Sequence, residues 1–153
     1  MMKYVFILAF IGVSLFASIQ TSGIGFDYDN ATHEERADWL TNQASITNGA
    51  FSKAIRQRHG INAAIEVTGI YPTGSSGLRG DIQLKYADVR SRIVAYRQQL
   101  KTLFCPTYEK LPIADHELRV VINMKDINGD QMTQFTLTPN ECAKQVAKLE
   151  AKA

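Results

Sequence analysis

The sequence predicts an α+β domain of order α-β-β-α-β-β, an antiparallel sheet with helices packed on one face and one disulfide across it. Three observations carry this. Apolar residues recur at helical spacing in two separate stretches, and each is followed by stretches in which apolar and polar residues alternate. Asn128-Gly129 joins two of the alternating stretches as a hairpin turn would. The chain has two cysteines, Cys105 and Cys142. Runs of helix and hairpin in this order give helices segregated to one side of a sheet.

The first helix opens at Thr32-His33-Glu34-Glu35. The Thr32 hydroxyl can accept from the third backbone N–H while Glu35 reaches back to the Thr32 amide. Trp39, Leu40, Ala44, Ile46, Ala50, Phe51, Ala54 and Ile55 continue at helical spacing, with Gly49 as a candidate kink. Arg56, Arg58 and His59 suit a helix C-terminus, and Gly60 suits its cap. From Ile61 the period falls to two, predicting a strand through Gly69. Residues 72–80 are turn-rich and predict a long, mobile hairpin loop. Ile82, Leu84 and Tyr86 then alternate as the second strand.

Asp88 is the expected N-cap of the second helix, whose stripe is Val89, Ile93, Tyr96, Leu100, Leu103 and Phe104. Pro106 is expected to end it and to leave Cys105 at its C-terminus, because the residue before a proline resists helical geometry. Residues 107–116 follow as a loop. Leu118 to Met124 and Met132 to Leu137 alternate on either side of Asn128-Gly129, whose two residues are expected to supply positive φ angles. The tail 143–153 is rich in Ala and Lys and is a candidate for a last, frayed helix.

Met1-Met2-Lys3, the uncharged run Tyr4 to Ile19 and the small residues after it have the layout of a secretory signal. The run holds about 16 residues, short of the roughly 20 that cross a bilayer. Residues 1–23 are therefore expected to be a signal peptide, or else an uncleaved anchor touching the membrane through Tyr4 to Ile19. Residues 24–31 follow as an extended linker, mobile unless docked, and 32–153 as one α+β domain. The chain is expected to be exported to the periplasm or beyond, or held at the inner membrane facing the periplasm. In an oxidising compartment two cysteines read most simply as one internal bond, with a free thiol pair or an intermolecular bridge as alternatives. Seventeen Lys and Arg oppose fifteen Asp and Glu. That balance lacks the concentrated basic footprint of a nucleic-acid binder.

Phe104-Cys105-Pro106, Asp126-Ile127-Asn128-Gly129 and Phe135-Thr136-Leu137-Thr138-Pro139-Asn140-Glu141-Cys142 together resemble a group of small exported bacterial proteins of unassigned function. The group shows a helix ending in Cys, then a strand, an Asn-Gly type turn, a second strand, and a second Cys after a Thr-Pro stretch. The likeness covers about 40 residues; the loop from Leu111 to His116 is longer here. It implies the Cys105–Cys142 bond and the α+β fold. It brings no catalytic residue, because the group has no established chemistry.

No arrangement of residues predicts a catalytic site, a metal site or a cofactor. His33, His59 and His116 have no ligand spacing. Asp126, Asn128 and Asp130 lack the twelfth-position glutamate of a calcium loop, since that position is Leu137. Arg79-Gly80-Asp81 is a tripeptide expected on the first hairpin loop, where turn chemistry explains it. Arg90, Arg92, Arg97 and Lys101 form the one dense charged feature. The expectation is a non-enzymatic exported interaction module, such as an accessory subunit of an envelope complex. It would meet a protein partner through Arg90, Arg97 and Lys101 and through Gly74, Ser75, Ser76 and Arg79. The alternative is a secreted inhibitor or immunity-type protein that plugs an enzyme with the loop at 72–80.

Overall fold

The computed structural model describes residues 25–58 and 60–152. The signal or anchor at 1–23, Tyr4 to Ile19 within it, and His59 lie outside the described residues.

The first helix, α1 (His33–Arg56), starts where its capping box predicts. The Thr32 amide donates to Glu35 Oε2 at 2.8 Å, and the Glu35 amide donates to the Thr32 hydroxyl at 3.3 Å. Leu40, Ala44, Thr47, Phe51 and Ile55 form its buried stripe. Ile46, expected inside, is exposed, and Gln43 takes the buried position beside the stripe. The helix is continuous through Gly49. It also closes earlier than expected, with Gln57 as its cap. Gly60 (φ +87°) instead opens a one-turn helix, α2 (Ile61–Ala64). The strand expected from Ile61 therefore begins four residues later. Ile61 and Ala64 are both buried at helical spacing, and Lys85 pins the turn with its amide on Ala64 O (2.8 Å) and its ammonium on Asn62 O (2.7 Å).

Strands β1 (Ile65–Pro72) and β2 (Gly77–Leu84) form the first hairpin. The long mobile loop expected at 72–80 is a tight connection of Thr73 to Ser76. The Thr73 amide donates to Gly77 O at 2.9 Å and the Ser76 amide to Thr73 O at 3.2 Å. Gly77 (φ +138°) permits this, and a Cβ there would collide with the Arg119 carbonyl on the next strand. Asp88 is not a helix cap. It lies inside a 3-10 helix, Ala87–Arg92, which feeds α3 (Ile93–Tyr108).

Helix α3 does not end before Pro106 but runs through it to Tyr108. The proline removes one backbone donor, and burial outweighs that loss. Phe104, Cys105 and Tyr108 are all fully buried, and the Tyr108 hydroxyl donates to Leu118 O at 2.8 Å. Burial, with a smaller push from Glu117, raises that hydroxyl to about 12, so it stays a donor across the working pH range. The loop expected after it contains a short helix, α4 (Pro112–Asp115). Strands β3 (Arg119–Lys125) and β4 (Gln131–Leu137) form the second hairpin. Its turn places only Gly129 at positive φ, not Asn128. Asp126 organises it, its carboxylate accepting from the Asn128 and Asp130 amides at 2.9 Å each. The tail is ordered as α5 (Pro139–Glu150), capped by Thr138. Cys142 therefore lies inside that helix.

The α+β class and its single disulfide stand as expected: a four-stranded sheet in order β1-β2-β3-β4, with helices against it. One part of the expectation is corrected. β2 and β3 are parallel, so the sheet is mixed, not wholly antiparallel. The connection between them passes through α3, and such a crossover returns the chain in the same direction. The helix-side face carries Leu78, Ile82, Leu84, Val120, Ile122, Met124, Phe135 and Leu137, all buried. Phe51 of α1 and Phe104 of α3 stack above them with centroids 4.2 Å apart. The disulfide Cys105–Cys142 joins α3 to α5.

Candidate partner-binding surfaces

The expected binding residues fall at opposite ends of β2. Gly74, Ser75 and Ser76 form the tip of the first hairpin, before β2 begins. Arg90 and Arg97 follow its other end, about 25 Å away for an eight-residue strand. They do not make one site.

The hairpin tip is held down. The Tyr28 hydroxyl donates to Ser75 O at 2.6 Å, and Tyr28 is itself buried. Phe26 stacks on Trp39 (5.2 Å), and Trp39 meets Tyr28 (5.4 Å) and His116 (5.3 Å) edge-on. Arg36 Nε donates to Tyr28 O at 2.8 Å. The segment from Phe26 to Asn30, read from sequence as a linker, is thus docked on the domain. A turn this short and this tethered gives no projecting plug.

Arg79-Gly80-Asp81 lies within β2, not on a loop. Arg79 and Asp81 belong to the sheet face away from the helices. Across that face Tyr71, Arg79, Val121 and Thr136 stand in one row, and Gly69, Asp81, Asn123 and Gln134 in the next. The Tyr71 ring folds over Gly69, and the Arg79 guanidinium sits 5.6 Å from its centre. Beside them Asp81 is buried. It accepts from Lys125 Nζ at 2.8 Å and Asn123 Nδ2 at 3.2 Å, with Arg79 Nε at 3.7 Å. Desolvation pushes the Asp81 carboxyl up, but the hydrogen bonds from Lys125 and Asn123 and the charges of Lys125 and Arg79 outweigh it, and its pKa lies below the usual value. A depressed carboxylate stabilises the fold above its unfolded pKa, and that contribution disappears as pH falls through the folded one. Asp81→Asn should therefore cost about 1–2 kcal/mol near pH 7, and the gap to the parent should shrink below about pH 4. Urea unfolding of both proteins across pH 3–8 checks this. A gap independent of pH would mean that the ion pair contributes nothing.

The second surface lies where β2 gives way to the 3-10 helix. A cleft of about 310 Å³ opens between α2 and that helix, lined by Ala63, Ala64, Tyr86, Asp88, Val89, Arg92 and Tyr96. A hollow of about 210 Å³ adjoins it and shares Arg92 and Tyr96. Tyr86, expected as a strand residue, is instead 56% exposed at the cleft mouth. Arg92 lines both hollows, Arg90 and Arg97 line neither, all three are exposed, and none has an ion-pair partner among the described residues. Lys101, grouped with them by sequence, is engaged elsewhere. Its ammonium binds Glu141 Oε2 at 2.7 Å and so fastens α5 to α3. Arg92 and Tyr86 are the members of this surface that were not singled out as binding residues. A tyrosine just past a strand end, followed by three arginines within eleven residues, was the available signal.

Among the described residues no three His, Cys, Asp or Glu side chains converge as metal ligands would, and no helix is long and apolar enough to cross a membrane.

No protein-family model matches the chain, and no curated protein matches it. Two solved structures overlap it in part. One is a provisionally assigned secreted protein of Pseudomonas aeruginosa, 14% identical, covering 65% of this chain and 96% of that one, with a TM-score of 0.43. The other is EpsS, the pilotin of the Vibrio vulnificus type 2 secretion system, 14% identical, covering 71% of this chain and 96% of that one, with a TM-score of 0.36. Overlaps this loose transfer no property to this chain.

Proposed function

We propose that this chain is a non-enzymatic interaction module of an exported compartment, an accessory subunit that binds an acidic segment of a protein partner at the arginine–tyrosine cleft. The observation that carries the reading is the open cleft between Tyr86 and Tyr96, whose lining includes the exposed Arg92 beside Asp88, with Arg90 and Arg97 exposed close by in the chain and all three arginines without ion-pair partners among the described residues. Arginine and tyrosine suit such a partner, because the guanidinium grips carboxylates in a fork and the ring adds contact area at little entropic cost. The Cys105–Cys142 bond supports an oxidising compartment, where such bonds persist. The non-enzymatic part is supported by how the polar groups are used. Asp81 is held by Lys125 and Asn123, Asp126 by its own turn, Glu35 by the helix cap and Glu141 by Lys101. These carboxylates serve the architecture.

The test uses the full chain in its own cells with a photocrosslinking amino acid in place of Tyr86. A discrete adduct is expected, weakened at least about tenfold by the triple change Arg90→Glu, Arg92→Glu, Arg97→Glu and by added salt. The same probe in place of exposed Ile127, on the β3–β4 turn, should give none. An adduct that survives the triple change, or none at all, would refute the acidic-partner reading.

A further inference from the structure

Asp81, Asn123, Asp126 and Gln145 are buried polar side chains with partners. Asn123 donates to Asp81, Asp126 accepts from its own turn, and Gln145 is held by Thr102 and Gln98. One row of α1 breaks this pattern. Trp39, Gln43 and Thr47 stand four residues apart along the helix, and Gln43 and Thr47 have no exposed surface. The Trp39 indole N–H, both amide atoms of Gln43 and the Thr47 hydroxyl have no hydrogen-bond partner among the described residues. A buried polar group left bare costs its full desolvation penalty, so a row of them calls for an occupant.

The contacts at the two ends of the row fix what it faces. Trp39 meets His116, and Phe51, one step beyond Thr47, stacks on Phe104. Gln43 and Thr47 therefore look across at the chain between Phe104 and His116, the end of α3 and α4. The buried side chains of that stretch are Cys105, Tyr108, Leu111 and Ile113. The Tyr108 hydroxyl is committed to Leu118 O, and the amides of Glu109, Lys110, Leu111 and Ala114 are bonded within their own turns. Asn48 Oδ1, also unpaired, lies five residues from Gln43 and so belongs to another side of the helix.

We infer that the seam between α1 and the end of α3 with α4 is a binding site for ordered water, held by Trp39, Gln43 and Thr47. The chemistry of the row selects the occupant. It offers N–H donors on Trp39 and Gln43, an acceptor at Gln43 Oε1 and a hydroxyl that serves as either. It carries no charge to balance an ion. The occupant must be neutral, small, and able to donate and accept at once, and water meets all three needs. Neighbouring members of the row are about 6 Å apart along the helix, and two hydrogen bonds of about 2.8 Å through one water cover that step. One molecule bridges Trp39 to Gln43 and a second bridges Gln43 to Thr47. The site is separate from the arginine cleft, and each reading can fail alone.

The test is water–protein NOE spectroscopy on the isotope-labelled full chain. The Gln43 side-chain amide should give cross-peaks to water with the sign of a long-lived complex, and the amide of exposed Gln134 should not. Thr47→Val should lower Tm by about 3–6 °C, because it takes a partner from the bound water. Thr41→Val, the same change at an exposed position of the same helix, should shift Tm by less than about 2 °C. Three results would overturn the inference. One is a Gln43 amide without long-lived water. Another is a rise in Tm for Thr47→Val, as removal of a dry, unpaired hydroxyl would give. The third is a crystal structure in which the Gln43 amide bonds directly to a backbone carbonyl.

Discussion

Phe104→Ala should destabilise the domain by about 3–5 kcal/mol, one of the two largest single losses expected. Phe104 has no exposed surface, stacks on Phe51 at 4.2 Å with planes 5° apart, and lies 6.5 Å from Phe135. It is the point where α1, α3 and β4 meet. Truncation removes the transfer free energy of the ring and leaves a cavity that two helices and a sheet cannot close together. Against a typical total of about 5–15 kcal/mol, this is between roughly a fifth and all of the stability. Phe51→Ala should cost a similar amount. The double variant should cost less than the sum by about 1 kcal/mol, the coupling of a stacked pair. Val94→Ala on the same helix as Phe104, 75% exposed, should change stability by less than about 0.5 kcal/mol. Urea unfolding of the four variants decides it. A loss below about 1.5 kcal/mol for Phe104→Ala would mean that the stack is not the keystone of this core.

The parts of this fold that were legible in the sequence are those decided locally. The capping box at Thr32 and Glu35 involves residues three apart, and the structure forms it as read. The second hairpin was legible because Asn128-Gly129 and the alternation on both sides agree, although the left-handed residue is Gly129 alone. What was hidden depends on residues far apart in sequence. Alternation looks the same in parallel and antiparallel strands, so the β2–β3 pairing could not be read. Pro106 carries a local signal to stop a helix, and burial of Phe104, Cys105 and Tyr108 overrides it. Ile61 to Ala64 alternates as a strand should, yet Lys85, more than twenty residues later, holds it as a turn.

The candidate surfaces divide in the same way. Arg90 and Arg97 were legible as exposed because the apolar stripe of α3 leaves them outside it. Lys101 was grouped with them by its four-residue step from Arg97, but its partner Glu141 is 40 residues downstream on a helix whose position no local pattern reveals. The Arg79-Gly80-Asp81 tripeptide reads locally as part of a loop because glycines and serines precede it. The register with β3 buries Asp81 instead.

Removing the Cys105–Cys142 bond should be the second large loss, and it should act in a particular order. The bond closes a separation of 37 residues, for which the chain-entropy account gives roughly 3–4 kcal/mol. Beyond that sum, its location matters. Among the described residues α5 buries only Cys142 and Gln145, so few apolar contacts hold it to α3. Without the bond it is retained by Lys101–Glu141, Gln98–Gln145 and Thr102–Gln145, all at least partly open to solvent and each worth about 1 kcal/mol or less. In the double variant Cys105→Ala, Cys142→Ala the helix should therefore detach before the sheet opens. Hydrogen exchange should show residues 142–150 losing protection at low denaturant while residues 119–125 of β3 keep theirs. The global midpoint should fall as well, because part of the entropy cost belongs to the unfolded chain. If α5 and β3 lose protection together, the helix is a full member of the core. If α5 leaves first, the bond is what fixes this helix on α3 while the rest of the domain folds without it.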